Sequence, residues 1–191
     1  MSAFEFISVL LSIVVGLALT RVLSGVGRAM EIRRKIRFYW VQGVWTANVA
    51  LLLVVFWWAV VFSHADMATW LFPDFVLLLA YSVLIFLQAA LILPSNLGEG
   101  ADLEAHFFEV RPWFFTLLAL TTVAEFGDTV FHGGLDRVFD FGPGYSVILV
   151  SGVTLSAFGA RSANCRFHEF YSLLFFLGMT VWMIRRFGAI G

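Results

Sequence analysis

The sequence predicts an all-α, polytopic membrane helix bundle, and three observations predict it. Hydrophobic residues make up 61% of the 191 and charged residues 13%, against roughly 45–50% and about 25% in soluble domains. Phe38–Ser63, Phe75–Gly98 and Phe141–Ala160 carry no formal charge over 26, 24 and 20 residues, and a helix needs roughly 20 residues to cross the hydrocarbon core. Pro73, Pro94, Pro112 and Pro143 all fall where apolar runs begin or end, as befits a residue without an amide proton.

Taken in order, six transmembrane helices are expected, at about 4–27, 39–63, 72–94, 112–131, 144–160 and 167–184, forming a single integral membrane domain over residues 1–191. The second, third and fifth are the charge-free stretches. The first is interrupted by Arg21, the fourth by Glu125 and Asp128, and the sixth opens on His168 and Glu169. The first lacks a basic leader and a small-residue cleavage site, so it reads as a retained span and not a removable signal peptide. Tyr39, Trp40, Trp70, Trp113 and Trp182 sit near span ends, where amphipathic rings prefer the headgroup level.

Lysine and arginine in short connections resist translocation and set orientation. The first connection holds Arg28, Arg33, Arg34, Lys35 and Arg37; placing it inside also places Arg111, Arg161 and Arg166 inside, and leaves Arg137, Arg185 and Arg186 outside. That is eight against three, so both termini are expected outside. Arg28–Phe38 reads as a plain positive-inside loop in preference to a cationic helix lying on the inner leaflet.

Composition excludes several classes. A net charge of −1 gives no phosphate-neutralising excess, so no nucleic-acid partner is expected. A single cysteine, Cys165, excludes a disulfide framework and a multi-cysteine metal site. HExxH, GxSxG, Walker A, GxGxxG and CxxC patterns are absent, and the only lysine, Lys35, lies in a loop, unsuited to a retinal Schiff base. His64, His106, His132 and His168 lie at span edges and not in mid-helix, which argues against a b-type haem cofactor.

The first span carries Ser8, Ser12, Gly16, Thr20 and Ser24, small residues at every fourth position. Such a stripe permits close helix approach, within the chain or between copies, and a homo-oligomer in the lipid bilayer is expected from it. Gly152, Ser156 and Gly159 repeat the signal in the fifth span.

Chemistry is sought among groups that are expensive in hydrocarbon. A carboxylate at bilayer centre costs about 2.5–3.5 kcal/mol even on the lenient insertion scale, so it is expected to face protein or water. Thr121, Glu125, Asp128, Thr129 and His132 share one side of the fourth helix. At about 1.5 Å per residue from Pro112, Glu125 lies roughly 20 Å from the inner side, while Arg21 lies about 25 Å from the outer side, too deep to pair with it. Arg21 is therefore expected to snorkel or to bond a carbonyl at a neighbouring helix end.

Glu125, Asp128 and His132 form the expected metal or proton site. Asp74, Thr121, Glu125 and Asp128 form the expected ion pathway, and Asp74, Tyr81 and Gln88 share a face of the third span. The competing reading makes the two acids hydrogen-bonding glue for the bundle. On the inner side His106, Glu109, His168 and Glu169 would have to converge for a lipid-directed active site; acids at helix N-termini are otherwise explained by the helix dipole.

The opening stretch FEFISVLLSIVVGLALTRVLSGVGR, Phe4–Arg28, resembles that of a group of small uncharacterised bacterial integral membrane proteins. The resemblance covers the first span, implies a bacterial inner membrane and carries no activity. The function expected from the residues is binding or conduction of a cation, a proton or a divalent metal, at an outward acidic site. A non-catalytic sensor or accessory subunit is the second class, and a membrane-embedded enzyme acting on lipid the third.

Overall fold

The computed structural model describes residues 3–64, 70–140 and 143–187. Six helices account for most of them: α1 (Ala3–Glu31), α2 (Trp40–His64), α3 (Phe72–Leu91), α4 (Leu103–Asp140), α5 (Pro143–Arg161) and α6 (Cys165–Phe187). Five of the six, all but α5, are long and apolar enough to cross a membrane, which makes this a multi-pass membrane protein. Helices are what such a sequence must form, because hydrocarbon offers no partner to an open backbone amide or carbonyl.

Successive helices run antiparallel, so that residues far apart in sequence gather at two ends. At one end Phe4 of α1 meets Trp70, which also touches His64 at the close of α2. At the other, Tyr39 before α2 meets Phe107 of α4, and Arg28 of α1 donates to the Leu97 carbonyl beyond α3. The most buried of the five apolar helices is α2. Its Trp45 is packed by Phe114 and Phe115 of α4 and by Tyr171 and Phe175 of α6. Asn48 ties α2 to α6 by donating to the Ser172 carbonyl at 3.0 Å.

Helix ends are set by side chains that take up the terminal backbone groups. Pro73 lies in the first turn of α3. That helix closes at Leu91 and not at 94, since Pro94 has no amide to continue it and disfavours helix at the residue before it; the carbonyls beyond are taken from outside, Gln42 donating to Ile92 and Arg21 to Leu93, the latter at 3.2 Å. Arg21 thus ends on a neighbouring helix's terminal carbonyl, as its depth requires.

The expectation that the fourth span starts at Pro112 is overturned. The helix begins at Leu103 and runs through the proline. An interior proline costs about 3 kcal/mol, whereas the added turns bury Leu103 and Phe107 almost completely, and each such side chain recovers about 1.5–3 kcal/mol. Asp102 starts the helix: its Oδ1 accepts the Glu104 and Ala105 amides at 2.9 and 3.0 Å. At the far end α4 passes the expected limit of 131 by kinking at Gly134, whose φ of 68° and ψ of −176° only glycine adopts without strain.

The basic connection between α1 and α2 is neither a surface helix nor free. Its backbone pairs with the α3–α4 connection through Arg37 N–H to Ala101 O at 2.9 Å and Gly100 N–H to Lys35 O at 2.7 Å. Lys35 meets Glu99, and Arg37 bridges Asp102 and Glu104.

The two small-residue stripes have different fates. Gly152 of α5 lies against Thr122 and Gly159 against Phe115 and Phe167, while Ser156 and Tyr171 share a hydroxyl bond of 2.9 Å. The α1 stripe faces away from the bundle: Ser12, Gly16, Thr20 and Ser24 are exposed, and Ile7, Leu11, Ala18, Val22 and Gly25 form the buried side instead.

The Ala105 amide holds the Asp102 carboxyl below its ordinary value of 3.8, desolvation opposes this, and the Arg37 side chain reinforces it. A lowered pKa stabilises the fold above the unfolded value, and the contribution is lost as pH falls through the folded value. Asp102→Ala should therefore lower the thermal midpoint at neutral pH. Thermal melts in detergent should show the gap to wild type closing as the pH is taken below 3.8.

Candidate functional site

The end of the bundle marked by His64 gathers four titratable side chains from three helices. His64 is the last residue of α2, Asp74 lies in the first turn of α3, and Asp128 and His132 are one turn apart on α4. Their side chains are 3%, 3%, 19% and 10% exposed respectively, so His64 and Asp74 are shut off from solvent while Asp128 and His132 are partly open to it. His64 Nε2 is 3.2 Å from Asp128 Oδ1, and His132 Nδ1 is 3.1 Å from the same oxygen. The imidazoles stand edge to face with centroids 4.8 Å apart. His132 Nδ1 also reaches the Asp128 main-chain carbonyl at 3.0 Å.

The other edge of His132 faces a second carboxylate, Asp74 Oδ1, at 3.4 Å. That contact lacks hydrogen-bond geometry, since His132 Nε2 has no hydrogen-bond partner; it is an electrostatic approach. Asp74 is fixed from behind, because its Oδ2 accepts the Leu71 amide at 2.7 Å. His64 Nδ1 is likewise buried without a hydrogen-bond partner. One ligand atom each from His64, Asp128 and His132 lies within 4.8 Å of the other two.

Glu125, one turn along α4, is turned elsewhere. Its Oε1 accepts the Tyr145 hydroxyl of α5 at 2.8 Å, and Tyr145 in turn shares a 2.8 Å bond with Thr129. A tyrosine has one proton to give, so with Tyr145 donating to the glutamate, Thr129 must donate to the tyrosine. Other helix threonines, such as Thr20, Thr116 and Thr122, return their protons to the carbonyl four residues back. Thr121 is also drawn into the interior, accepting from Gln88 of α3 at 2.7 Å.

Of the residues singled out in the sequence, the structure brings Asp128, His132 and Asp74 together with His64, places Thr121 opposite Gln88, and holds Glu125 on Tyr145 outside the three-ligand group. Asp74 and Gln88 both face the α4 stripe, while Tyr81 packs on Phe56 with ring centroids 4.7 Å apart. On the opposite end of the bundle His106 is bonded to the Leu91 carbonyl and His168 to the Ser162 carbonyl, and Glu109 is exposed. Each imidazole there holds a different backbone group.

Sequence reasoning missed Tyr145 entirely. It stands two residues past Pro143 with no companion at helical spacing, and only the packing of α5 on α4 reveals its role. No family model, curated protein or solved structure matches the chain.

The Thr129–Tyr145–Glu125 chain is buried at its first two members, so the bonds should be energetically coupled. Tyr145→Phe and Thr129→Val should each destabilise by about 0.5–2 kcal/mol, the range for polar contacts between membrane helices. The double variant should cost less than the sum, as read by denaturant unfolding in micelles.

Proposed function

We propose that the protein binds a cation, a proton or a divalent metal, at the His64–Asp128–His132 cluster, and passes it along the polar side of α4. One observation carries this reading: His132 has an oxygen acceptor at each ring nitrogen, Asp128 on one side and Asp74 on the other. A neutral imidazole has a single N–H and leaves one of these sides with lone pair facing lone pair. A proton or a metal ion removes that conflict.

Glu125 and Thr121 continue the polar side of α4 inward from Asp128. Buried acids in spanning helices are expensive and characteristically mark ion paths. Tyr145, the partner of Glu125, also lines a groove between α5 and α6 with Trp182 and Arg185. On this reading α5 also crosses the membrane, making six spans, the cluster faces outward, and the membrane is a bacterial inner membrane; the basic connection at the opposite end supplies the positive-inside signal.

Glu125→Gln combined with Asp128→Asn should abolish cation flux in proteoliposomes while the protein stays helical and monodisperse. Unchanged flux in the double variant, or none in wild type, contradicts the reading.

A further inference from the structure

We propose that the cation is a divalent transition metal of the zinc class, held by His64 Nε2, Asp128 Oδ1 and His132 Nδ1, with Asp74 orienting His132 from the second nitrogen. The inference rests on the cation reading above and narrows it.

Convergence is the first argument. Protons satisfy pairs of atoms along a line, whereas a metal needs several donors aimed at one point. A tetrahedral ion with bonds of about 2.0–2.1 Å sets its ligands about 3.4 Å apart. Here the Asp128 oxygen meets that spacing, at 3.2 Å from one imidazole nitrogen and 3.1 Å from the other; the three ligand atoms lie within 4.8 Å of one another, so the imidazoles close on the ion as it binds. The edge-to-face rings, at 88°, suit two imidazoles sharing an ion.

Charge is the second. The cluster holds two largely buried carboxylates, Asp74 and Asp128; one divalent ion balances both and leaves the imidazoles neutral, as ligands must be. Donor chemistry is the third. Two nitrogens and one oxygen suit zinc and its neighbours, while magnesium and calcium prefer oxygen throughout.

Asp74 completes the arrangement as a positioning residue. A ligating histidine characteristically donates its other N–H to a carboxylate, which fixes the tautomer. Metal binding would take His132 Nδ1 from the Asp128 main-chain carbonyl, 3.0 Å away, and put the ring proton on Nε2, where Asp74 Oδ1 at 3.4 Å must close in to accept it. Asp74→Asn can still accept the Leu71 amide with its oxygen, but presents an amide donor to His132 and so favours the opposite tautomer, with the proton on Nδ1.

The test is calorimetric titration of zinc chloride into the purified full chain in micelles, with cobalt(II) absorption spectra as a second readout. Wild type is expected to bind one zinc per chain, without competition from magnesium or calcium. His64→Ala should abolish binding. Asp74→Asn should weaken it about 10- to 100-fold and alter the cobalt spectrum. Zinc binding that survives His64→Ala, or an Asp74→Asn variant with wild-type affinity and spectrum, overturns the inference. If zinc does not bind but proton flux persists and depends on Glu125 and Asp128, the metal assignment falls and the cation reading stands; if neither occurs, both fall.

Discussion

A neutral imidazole carries one N–H, and His132 is held between acceptors at both of its nitrogens. The rest of this end of the molecule is arranged around that constraint. Asp74 is pinned by the amide that opens α3, so it cannot retreat from His132. Asp128 receives two imidazoles on one oxygen. In water such crowding would be relieved by solvation; in this cluster the proposed cation would relieve it.

Elsewhere the architecture is shaped by polar side chains that do find a partner on a neighbouring helix. Arg21 and Gln42 take the carbonyls that end α3, Asn48 takes one from α6, and Gln88 takes the Thr121 hydroxyl. These bonds cross between helices where apolar contact alone gives little specificity, because lipid solvates leucine as well as another helix does. At the opposite end, salt bridges of Lys35 and Arg37 join two connections into one paired unit. The bundle is thus fastened at both ends by polar contacts and filled between them by aromatic packing on Trp45.

Much of this was legible in the sequence. Long charge-free runs locate helices directly, since few other segments are so apolar, and the 100° step puts Thr121, Glu125, Asp128 and His132 on one side of α4 without any coordinates. Seven-residue spacing likewise placed Asp74 and Gln88 on a common face of α3. What periodicity cannot supply is which neighbour meets which residue. His64 lay at the right depth, but its pairing with Asp128 needs the relative rotation of α2 and α4. Tyr145 is a lone tyrosine until α5 packs. Pro112 misled for a different reason: the rule that proline ends helices yields when the turns before it bury Leu103 and Phe107. The α1 stripe showed where close approach is possible, and only the structure shows that, among the described residues, no helix of the same chain occupies it.

The measurement that bears most directly on His132 is solid-state nitrogen NMR of histidine-labelled protein in bilayers, with and without zinc at neutral pH. The account predicts that zinc moves the His132 nitrogen signals to those of a metal-bound ring. His132 signals that zinc leaves unmoved would contradict it.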